Sequence, residues 1–229
     1  MSVLILALSA EGPTDERFLP IIVQRTAQAL LLREGRTVTD VLQPFVLKPS
    51  HPQQGRAETI LAIARQCTGY HALILHADAD HDTPDRALRE RIWPGRDLII
   101  SARAKGEAVC DLPIPLVPVH MTEAWMLADG EALRMVLGTD LTSDLLGVPK
   151  RADELERDAN PKQTLAGAIT QALAARPQRR RRLNRADLDE PLARQIHLEH
   201  LSRLPSYRQF VADLRQALQH LHFIEQSAD

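Results

Sequence analysis

Aromatic residues are scarce in this sequence: four Phe, two Trp and two Tyr are the total among 229 residues. Hydrophobic residues nevertheless make up 44% of the chain and charged residues 25%, which is close to the average of soluble globular domains. This composition excludes a disordered chain, a collagen-like repeat and a membrane bundle. Because aromatic side chains are so few, we expect Leu, Ile, Val and Ala to build the core.

Cysteine, long apolar runs and net charge are also low. Cys67 and Cys110 lack the spacing of a metal site, and we expect a reduced pair in a cytoplasmic protein. No apolar run approaches the roughly 20 residues of a membrane helix, and the apolar segment 1–10 lacks the basic n-region of a signal peptide. The net charge of −2 argues against a surface coated in nucleic acid, but not against a local basic groove.

The first half of the chain has the pattern of an α/β protein with a parallel sheet. Four segments are predicted to be strands: 3–8, 41–47, 72–75 and 116–119. Apolar residues at helical spacing predict a helix from about residue 14 to 30, kinked or delayed by Pro20, and a second helix over 56–66. This alternation indicates right-handed βαβ crossovers.

The second half of the chain has the pattern of helices. A helix is predicted to start at Asn160-Pro161, and Ser206 with Gln209 has the spacing of a capping box before a further apolar face. We therefore predict an α/β domain over residues 1–125 and a helical extension over residues 126–229 that packs on it.

Carboxylates follow two of the predicted strands. Glu11 comes after the first strand, and Asp78, Asp80 and Asp82 come after the third. Ligands of open parallel sheets bind beyond the carboxyl ends of the strands, so these acids face one crevice if the two strands are neighbours. Two or three carboxylates suffice for Mg²⁺, or Mn²⁺, which keeps several waters, so the predicted metal ligands are Glu11, Asp78, Asp80 and Asp82. Gly12 would let the backbone turn tightly beneath Glu11.

Some of these acids also suit helix starts, where the helix dipole favours negative charge. Asp82 precedes Thr-Pro and is either a metal ligand or the N-cap of the next helix. Asp15 and Glu16 are interpreted as first-turn acids of the first helix. Glu123 follows the fourth predicted strand and is an additional candidate ligand or another first-turn acid.

Two segments carry a resemblance to a known family. Residues 6–15 (LALSAEGPTD) and 74–80 (ILHADAD) resemble the TOPRIM domain of topoisomerases, primases and OLD-type nucleases, which has a glutamate after its first strand and D-x-D after its third. Residues 118–129 and 198–214 are similar to small bacterial TOPRIM-like proteins of unknown function. Those proteins are often encoded beside AAA or ABC-type ATPases in defence loci.

The resemblance implies a TOPRIM/Rossmann-like parallel sheet flanked by helices and a role for each acid. Glu11 would be the general acid/base, Asp78 and Asp80 would hold Mg²⁺ (or Mn²⁺), and Asp82 would complete the site. The implied activity is that of a metal-dependent nuclease, acting on DNA or RNA as the effector of an anti-phage defence system with an ATPase partner. His76 and His81 flank the D-x-D and are not part of the family pattern.

Basic residues near the predicted strand ends and in the segment 176–185 are candidates for contacting a nucleic-acid backbone. They are Arg56, Arg103, Lys105, Arg179, Arg180, Arg181 and Arg182. The segment 176–185 is equally explained as a solvated loop between helices.

Two other functions fit parts of the pattern. A haloacid-dehalogenase-like phosphotransferase also uses D-x-D after a strand, but its pattern has Thr or Val where this chain has Asp82, and its nucleophile strand comes first rather than third. A TOPRIM-like scaffold that binds and regulates an ATPase without catalysis is the second alternative. A metal-induced thermal shift that disappears in an Asp78→Ala/Asp80→Ala variant would favour a metal site.

Overall fold

The computed structural model describes residues 2–51, 53–149, 151–174 and 185–225. It is an α/β protein whose parallel strands are flanked by helices, so the predicted fold class is confirmed. The chain divides into two compact units: the first is Met1–Ala77, Asp85–Val117 and Gln209–Asp229, and the second is Asp78–Pro84 with Pro118–Arg208. These units differ from the predicted division at residue 125 in the assignment of 78–84, 118–125 and 209–229.

The first unit holds all the strands of the described chain. They are β1 (Ser2–Leu4), β2 (Leu6–Ser9), β3 (Thr39–Val41), β4 (Phe45–Val46), β5 (Ala72–His76) and β6 (Pro113–Leu116). β1 pairs with β3, and the other four form a parallel sheet in the order β4-β2-β5-β6. The chain leaves β2 towards β4 and returns on the other side to β5, so the strand order reverses between β2 and β5. The first and third predicted strands are therefore neighbours.

Three predicted strands differ in detail from those in the structure. The strand 3–8 is broken at Ile5, whose amide donates to Nδ1 of His71 at 3.0 Å. The strand 41–47 is two short strands, β3 and β4, with residues 42–44 between them. The strand 116–119 starts earlier, at Pro113, and tolerates Pro113 and Pro115 because β6 lies at the edge of the sheet.

The helices of the first unit include the two that were predicted. The helical elements before β6 are α1 (Pro13–Glu34), α2 (Arg56–Gln66), α3 (Asp85–Ala87), a π-helical turn (Leu88–Ile92) and α4 (Trp93–Ala104). The predicted bounds of α2 are confirmed. The predicted delay of the helix start by Pro20 is wrong, because α1 starts at Pro13 and continues through a buried Pro20. Burial of its neighbours, such as Phe18 and Ile22, outweighs one missing backbone hydrogen bond.

Aliphatic side chains fill the core of the first unit, as the composition predicts. Helices α2 and α4 approach so closely that a Cβ on Gly95 would lie 2.6 Å from Cδ1 of Ile60. Cys67 follows α2 and Cys110 precedes β6, and both are buried, free thiols. The thiol of Cys67 donates to the carbonyl of Ala64 and that of Cys110 to the carbonyl of Tyr70, each at 3.7 Å. Glycine at position 95 is thus required by the packing of α2 against α4.

The second unit is helical in its described part. Its helices are α5 (Thr122–Met126), α6 (Gly130–Leu137), α7 (Ala152–Leu155), α8 (Pro161–Ala174), α9 (Ala186–Gln195), α10 (Leu198–Leu201) and the start of α11 (Pro205–His220). The predicted start of α8 is confirmed. The predicted capping box is wrong, because α11 starts at Pro205 and Ser206 lies in its first turn. The hydroxyl of Ser206 instead accepts a hydrogen bond from Nε1 of Trp125 at 2.8 Å.

A buried carboxylate joins two helices of this unit. Asp129 is fully buried and is the N-cap of α6, accepting from the amide of Ala132 at 3.1 Å. It also accepts from the amide of His197 at 3.0 Å and lies 2.8 Å from Nδ1 of that residue, while Nδ1 of His200 is 3.2 Å away. Burial acts to raise the pKa of Asp129, but these hydrogen bonds together hold the pKa below its usual value.

None of the described helices is both long and apolar enough to cross a membrane.

Candidate functional site

The carboxyl ends of β2 and β5 form the site that the topology singles out. Glu11 follows β2 by two residues, and His76 is the last residue of β5. Arg56, the first residue of α2, has Nη2 3.9 Å from Oε1 of Glu11, and Arg91 has Nη1 3.4 Å from Oε2. These four residues and Asp15 are referred to below as the strand-end cluster.

Asp15 serves first as the cap of α1. Its Oδ2 accepts a hydrogen bond from the amide of Gly12 at 2.9 Å, which satisfies a donor at the start of the helix. The chain bends at residues 11–12, but Gly12 has an extended backbone (φ −144°), so the bend does not require a left-handed glycine. A Cβ on Gly12 would lie 3.3 Å from the same Asp15 oxygen, so glycine gives this carboxylate room.

His76 is fully buried at the end of β5. Its Nδ1 accepts a hydrogen bond from the amide of Glu11 at 3.4 Å and lies 3.8 Å from Oδ2 of Asp15. The lone pair of Nδ1 that accepts this hydrogen bond is the one that would bind a metal ion, in place of the Glu11 amide. Asp78 stands two residues further along the chain, so its Cα is within about 7 Å of that of His76. The group Asp15, His76 and Asp78 could hold a metal ion.

Arg56 combines burial with unused hydrogen-bonding capacity. One of its Nη atoms donates to the backbone carbonyl of His76, which anchors the guanidinium at the end of β5. Burial lowers the pKa of Arg56, and the nearby carboxylate of Glu11 opposes that shift. Among the described residues its buried Nε has no hydrogen-bond partner. Arg56 is therefore a partly desolvated cation whose Nε–H donor is available for a further hydrogen bond.

The acidic loop 78–82 belongs to the second unit and is held there by residues 118–122. The amide of Ala79 donates to the carbonyl of Pro118 at 3.0 Å, and that of Asp80 donates to His120 at 2.9 Å. The carboxylate of Asp78 accepts from the amide of Thr122 at 3.0 Å. Hydrogen bonds therefore fix both the backbone of this loop and the side chain of Asp78.

Two residues of this arrangement have a left-handed backbone. Asp80 has φ 52° and His120 has φ 56°, and the two are joined by the hydrogen bond just described. This conformation costs a residue other than glycine about 1–2 kcal/mol. Such strain is concentrated at functional sites, where the surrounding structure maintains it.

The other two candidate ligands of the second unit contact basic side chains. Asp82 is exposed, with Oδ1 3.2 Å from Nε2 of His120. It is not the N-cap of the next helix, because α3 begins at Asp85. Glu123 is buried in the first turn of α5, and its carboxylate contacts the guanidinium of Arg185. Arg185 therefore compensates the negative charge of Glu123, which the sequence suggested as an additional metal ligand.

The predicted basic residues do not all lie at the same edge of the sheet. Arg56 contacts Glu11 at the carboxyl ends of the strands. Arg103 and Lys105 lie at the end of α4, and Arg103 pairs with Asp111 at 3.1 Å just before β6 starts. Their expected place beside the strand-end acids is therefore wrong, because they lie at the amino ends of the strands. The other predicted basic residues, Arg179, Arg180, Arg181 and Arg182, lie outside the described residues.

Three members of the strand-end cluster were missed as functional residues in the sequence. Asp15 was interpreted only as a first-turn acid, and His76 lies outside the family pattern. Arg91 has no motif around it and lies on the π-helical turn, a feature that often marks functional sites. Only the adjacency of β2 and β5 brings these residues together.

Comparison of the chain with protein-family models, with curated proteins and with solved structures finds no match.

Proposed function

We propose that this protein is a metal-dependent nuclease that hydrolyses phosphodiester bonds of nucleic acid. The observation that carries the proposal is the pairing of β2 with β5 at the point where the strand order reverses, with acidic residues following both strands. Ligands of such sheets bind at this point. Arg56 and Arg91 beside Glu11 suit a substrate with negative charge.

Of the two ions expected from the sequence, Mg²⁺ or Mn²⁺, the donor set favours Mn²⁺. Asp15 and Asp78 offer carboxylate oxygens, and His76 offers an imidazole nitrogen. Mg²⁺ prefers oxygen ligands alone, whereas a transition metal accepts nitrogen as well. When bound, the ion would polarise a phosphoryl oxygen. Asp80 and Asp82 remain candidates for the rest of the ion's coordination in this proposal.

Glu11 is the proposed general base. Its side chain is 26% exposed, so water can reach the carboxylate, and it lies at the end of β2 beside two cations. The carboxylate would take a proton from the attacking water, and Arg56 and Arg91 would bind the negatively charged phosphate. Glu11, Arg56 and Arg91 all belong to the first unit.

The biological setting is proposed on the resemblance alone. Residues 118–129 and 198–214 resemble small TOPRIM-like proteins encoded beside ATPases, so we propose an anti-phage effector with an ATPase partner. A regulatory subunit without catalysis is the alternative outcome of the following test.

The proposal is tested with purified protein and labelled DNA and RNA substrates, in Mn²⁺, in Mg²⁺ and in EDTA. We expect cleavage in Mn²⁺ and none in EDTA, with a loss of about 100-fold or more in Glu11→Gln and in Asp78→Asn. Glu90→Gln is the matched control, because Glu90 is an exposed acid paired with Arg86. Cleavage that survives both substitutions contradicts the proposed roles, and a Mn²⁺-induced thermal shift without cleavage favours the regulatory subunit.

A further inference from the structure

Glu11 is held loosely by its two arginines. Arg56 approaches one carboxylate oxygen at 3.9 Å and Arg91 the other at 3.4 Å. Well-formed bonds between a guanidinium and a carboxylate are about 2.7–2.9 Å long and are often bidentate. Each contact here is longer and uses a single pair of atoms. Glu11 therefore makes only long contacts with these two guanidiniums.

The two guanidiniums have the properties of an anion site. A guanidinium carries five N–H donors in a rigid fork that matches phosphate. Nε of Arg56 is buried and lacks a partner among the described residues. The arginine side chains are 25% and 36% exposed, so a ligand from solvent can reach both. Arg56 is fixed by the His76 carbonyl, and Arg91 is carried by the π-helical turn.

We infer that Arg56 and Arg91 form a binding site for a phosphate group of the nucleic-acid backbone, and that the Glu11 carboxylate occupies this site while the substrate is absent. The ligand class rests on the proposed function. A phosphate offers more oxygens than a carboxylate does, and the buried Nε of Arg56 has no partner among the described residues. Binding of substrate would displace the Glu11 side chain from both cations. The same event would free that carboxylate to act on water.

A purely structural ion pair would respond to substitution differently from an anion site that the Glu11 carboxylate occupies. In a structural pair, loss of either partner lowers stability and leaves nucleic-acid binding unchanged. In an occupied anion site, loss of the cations weakens binding, whereas loss of the Glu11 charge strengthens it. Substitutions on the two sides therefore have opposite effects on affinity only if the inference is correct.

The experiment measures binding of a short fluorescent single-stranded DNA by anisotropy in EDTA, where no metal-dependent cleavage occurs. We expect Arg91→Gln and Arg56→Gln to weaken binding about tenfold, and the slope of log affinity against log salt to fall by about 0.7 for each lost phosphate contact. Glu11→Gln should tighten binding at least about threefold, because a competing negative charge is removed. The double variant Glu11→Gln/Arg91→Gln should bind more weakly than Glu11→Gln.

Arg86 and Glu90 provide matched controls, since they form an exposed ion pair at 3.1 Å in the same unit. Arg86→Gln and Glu90→Gln remove the same charges and should leave the affinity within about twofold of the unsubstituted chain. Inorganic phosphate serves as competitor: displacement of the DNA at low concentration identifies free phosphate as the preferred ligand and overturns the assignment to a nucleic-acid backbone.

Affinities of the Arg56 and Arg91 variants equal to those of the controls would overturn the inference, as would weaker binding by Glu11→Gln. Thermal unfolding identifies any variant that fails to fold, and Arg91, the more exposed of the two arginines, then carries the test. Because every measurement is made without metal, failure to observe cleavage leaves this result intact.

Discussion

Nδ1 of His76 lies 3.8 Å from Oδ2 of Asp15, the same oxygen that accepts the hydrogen bond of the Gly12 amide. One carboxylate oxygen therefore serves both the start of α1 and the strand-end cluster. A helix cap needs only an acceptor, whereas a cation needs a negative charge. The two roles can be separated by substitution.

Asp15→Asn keeps an acceptor for the cap and removes the charge. We expect the free energy of unfolding to change by less than about 0.5 kcal/mol, while Mn²⁺ affinity falls about tenfold or more. Asp15→Ala should lose the same affinity and about 1 kcal/mol of stability as well. Urea denaturation and a Mn²⁺ titration followed by electron paramagnetic resonance measure the two effects.

Glu16→Gln is the control for this pair of variants, since Glu16 is in the same helical turn and pairs with Lys48 at 2.7 Å. Its Mn²⁺ affinity should stay within about twofold of the unsubstituted chain. If Asp15→Asn binds Mn²⁺ as tightly as the control does, Asp15 is a cap and nothing more.

The contact between α2 and α4 predicts a cost for Gly95→Ala. The new Cβ would lie 2.6–2.8 Å from three atoms of Ile60, so we expect a loss of about 1–3 kcal/mol in the free energy of unfolding. Ile60→Val removes one of those atoms and should cost less in the Gly95→Ala background than alone. Gly167→Ala in α8 is the control: nothing lies within 4 Å of its added Cβ, so it should be neutral or stabilising. Additive costs at positions 60 and 95 would contradict the clash.

Asp129 predicts a pH-dependent loss of structure in the second unit. Because its pKa is lower in the folded protein than the usual 3.8, the carboxylate stabilises the fold fully above about pH 4, and this stabilisation is lost as pH falls through the lowered pKa. Asp129→Asn should cost about 3 kcal/mol near neutral pH, and the difference should shrink at acid pH. Hydrogen exchange at the amides of Ala132 and His197, the two backbone donors, measures it locally.

The exposed Asp140 provides the comparison, and Asp140→Asn should leave both exchange rates unchanged. A cost of Asp129→Asn that stays constant down to acid pH would show that charge at this position is not what stabilises the two helices.

The thiol pair predicts unequal reactivity. The neighbouring Cys110 thiol, together with burial, raises the pKa of Cys67, while the Cys67 thiol lowers the pKa of Cys110 against the effect of burial. Since the thiolate is the reactive form, we expect iodoacetamide to label Cys110 before Cys67 in the folded protein at mildly alkaline pH. Peptide mass mapping gives the order, and the urea-unfolded chain should label both at similar rates. Preferential labelling of folded Cys67 would contradict this assignment.

Local patterns predicted those parts of the molecule whose stability depends on neighbours in the sequence. The apolar spacing of α2 gave its bounds, and the apolar run before His76 gave β5 almost completely. Pro20 and Ser206 misled the prediction because tertiary burial and a hydrogen bond from Trp125 override their local preferences.

The same distinction between local pattern and tertiary contact applies to the residues of the candidate site. Glu11 and Asp78 were predicted because each follows a strand closely in sequence. Asp15, His76 and Arg91 were not predicted as site residues. His76 and Arg91 contact Glu11 across 65 and 80 residues of the sequence, for example through the amide of Glu11 and Nδ1 of His76. The pattern of a single sequence does not reveal which strands become neighbours and make such contacts possible. Their role depends on strand order.

The edge strand β6 has a consequence for self-association. The carbonyls of Leu112 and Leu116 accept hydrogen bonds from the segment of β5, so the alternate positions 113 and 115 direct their backbone away from the sheet. Both are proline and have no amide hydrogen to offer there. A strand that approached this edge from another molecule would lack backbone N–H donors at both positions. The two prolines therefore protect the molecule against growth into fibrils by strand addition.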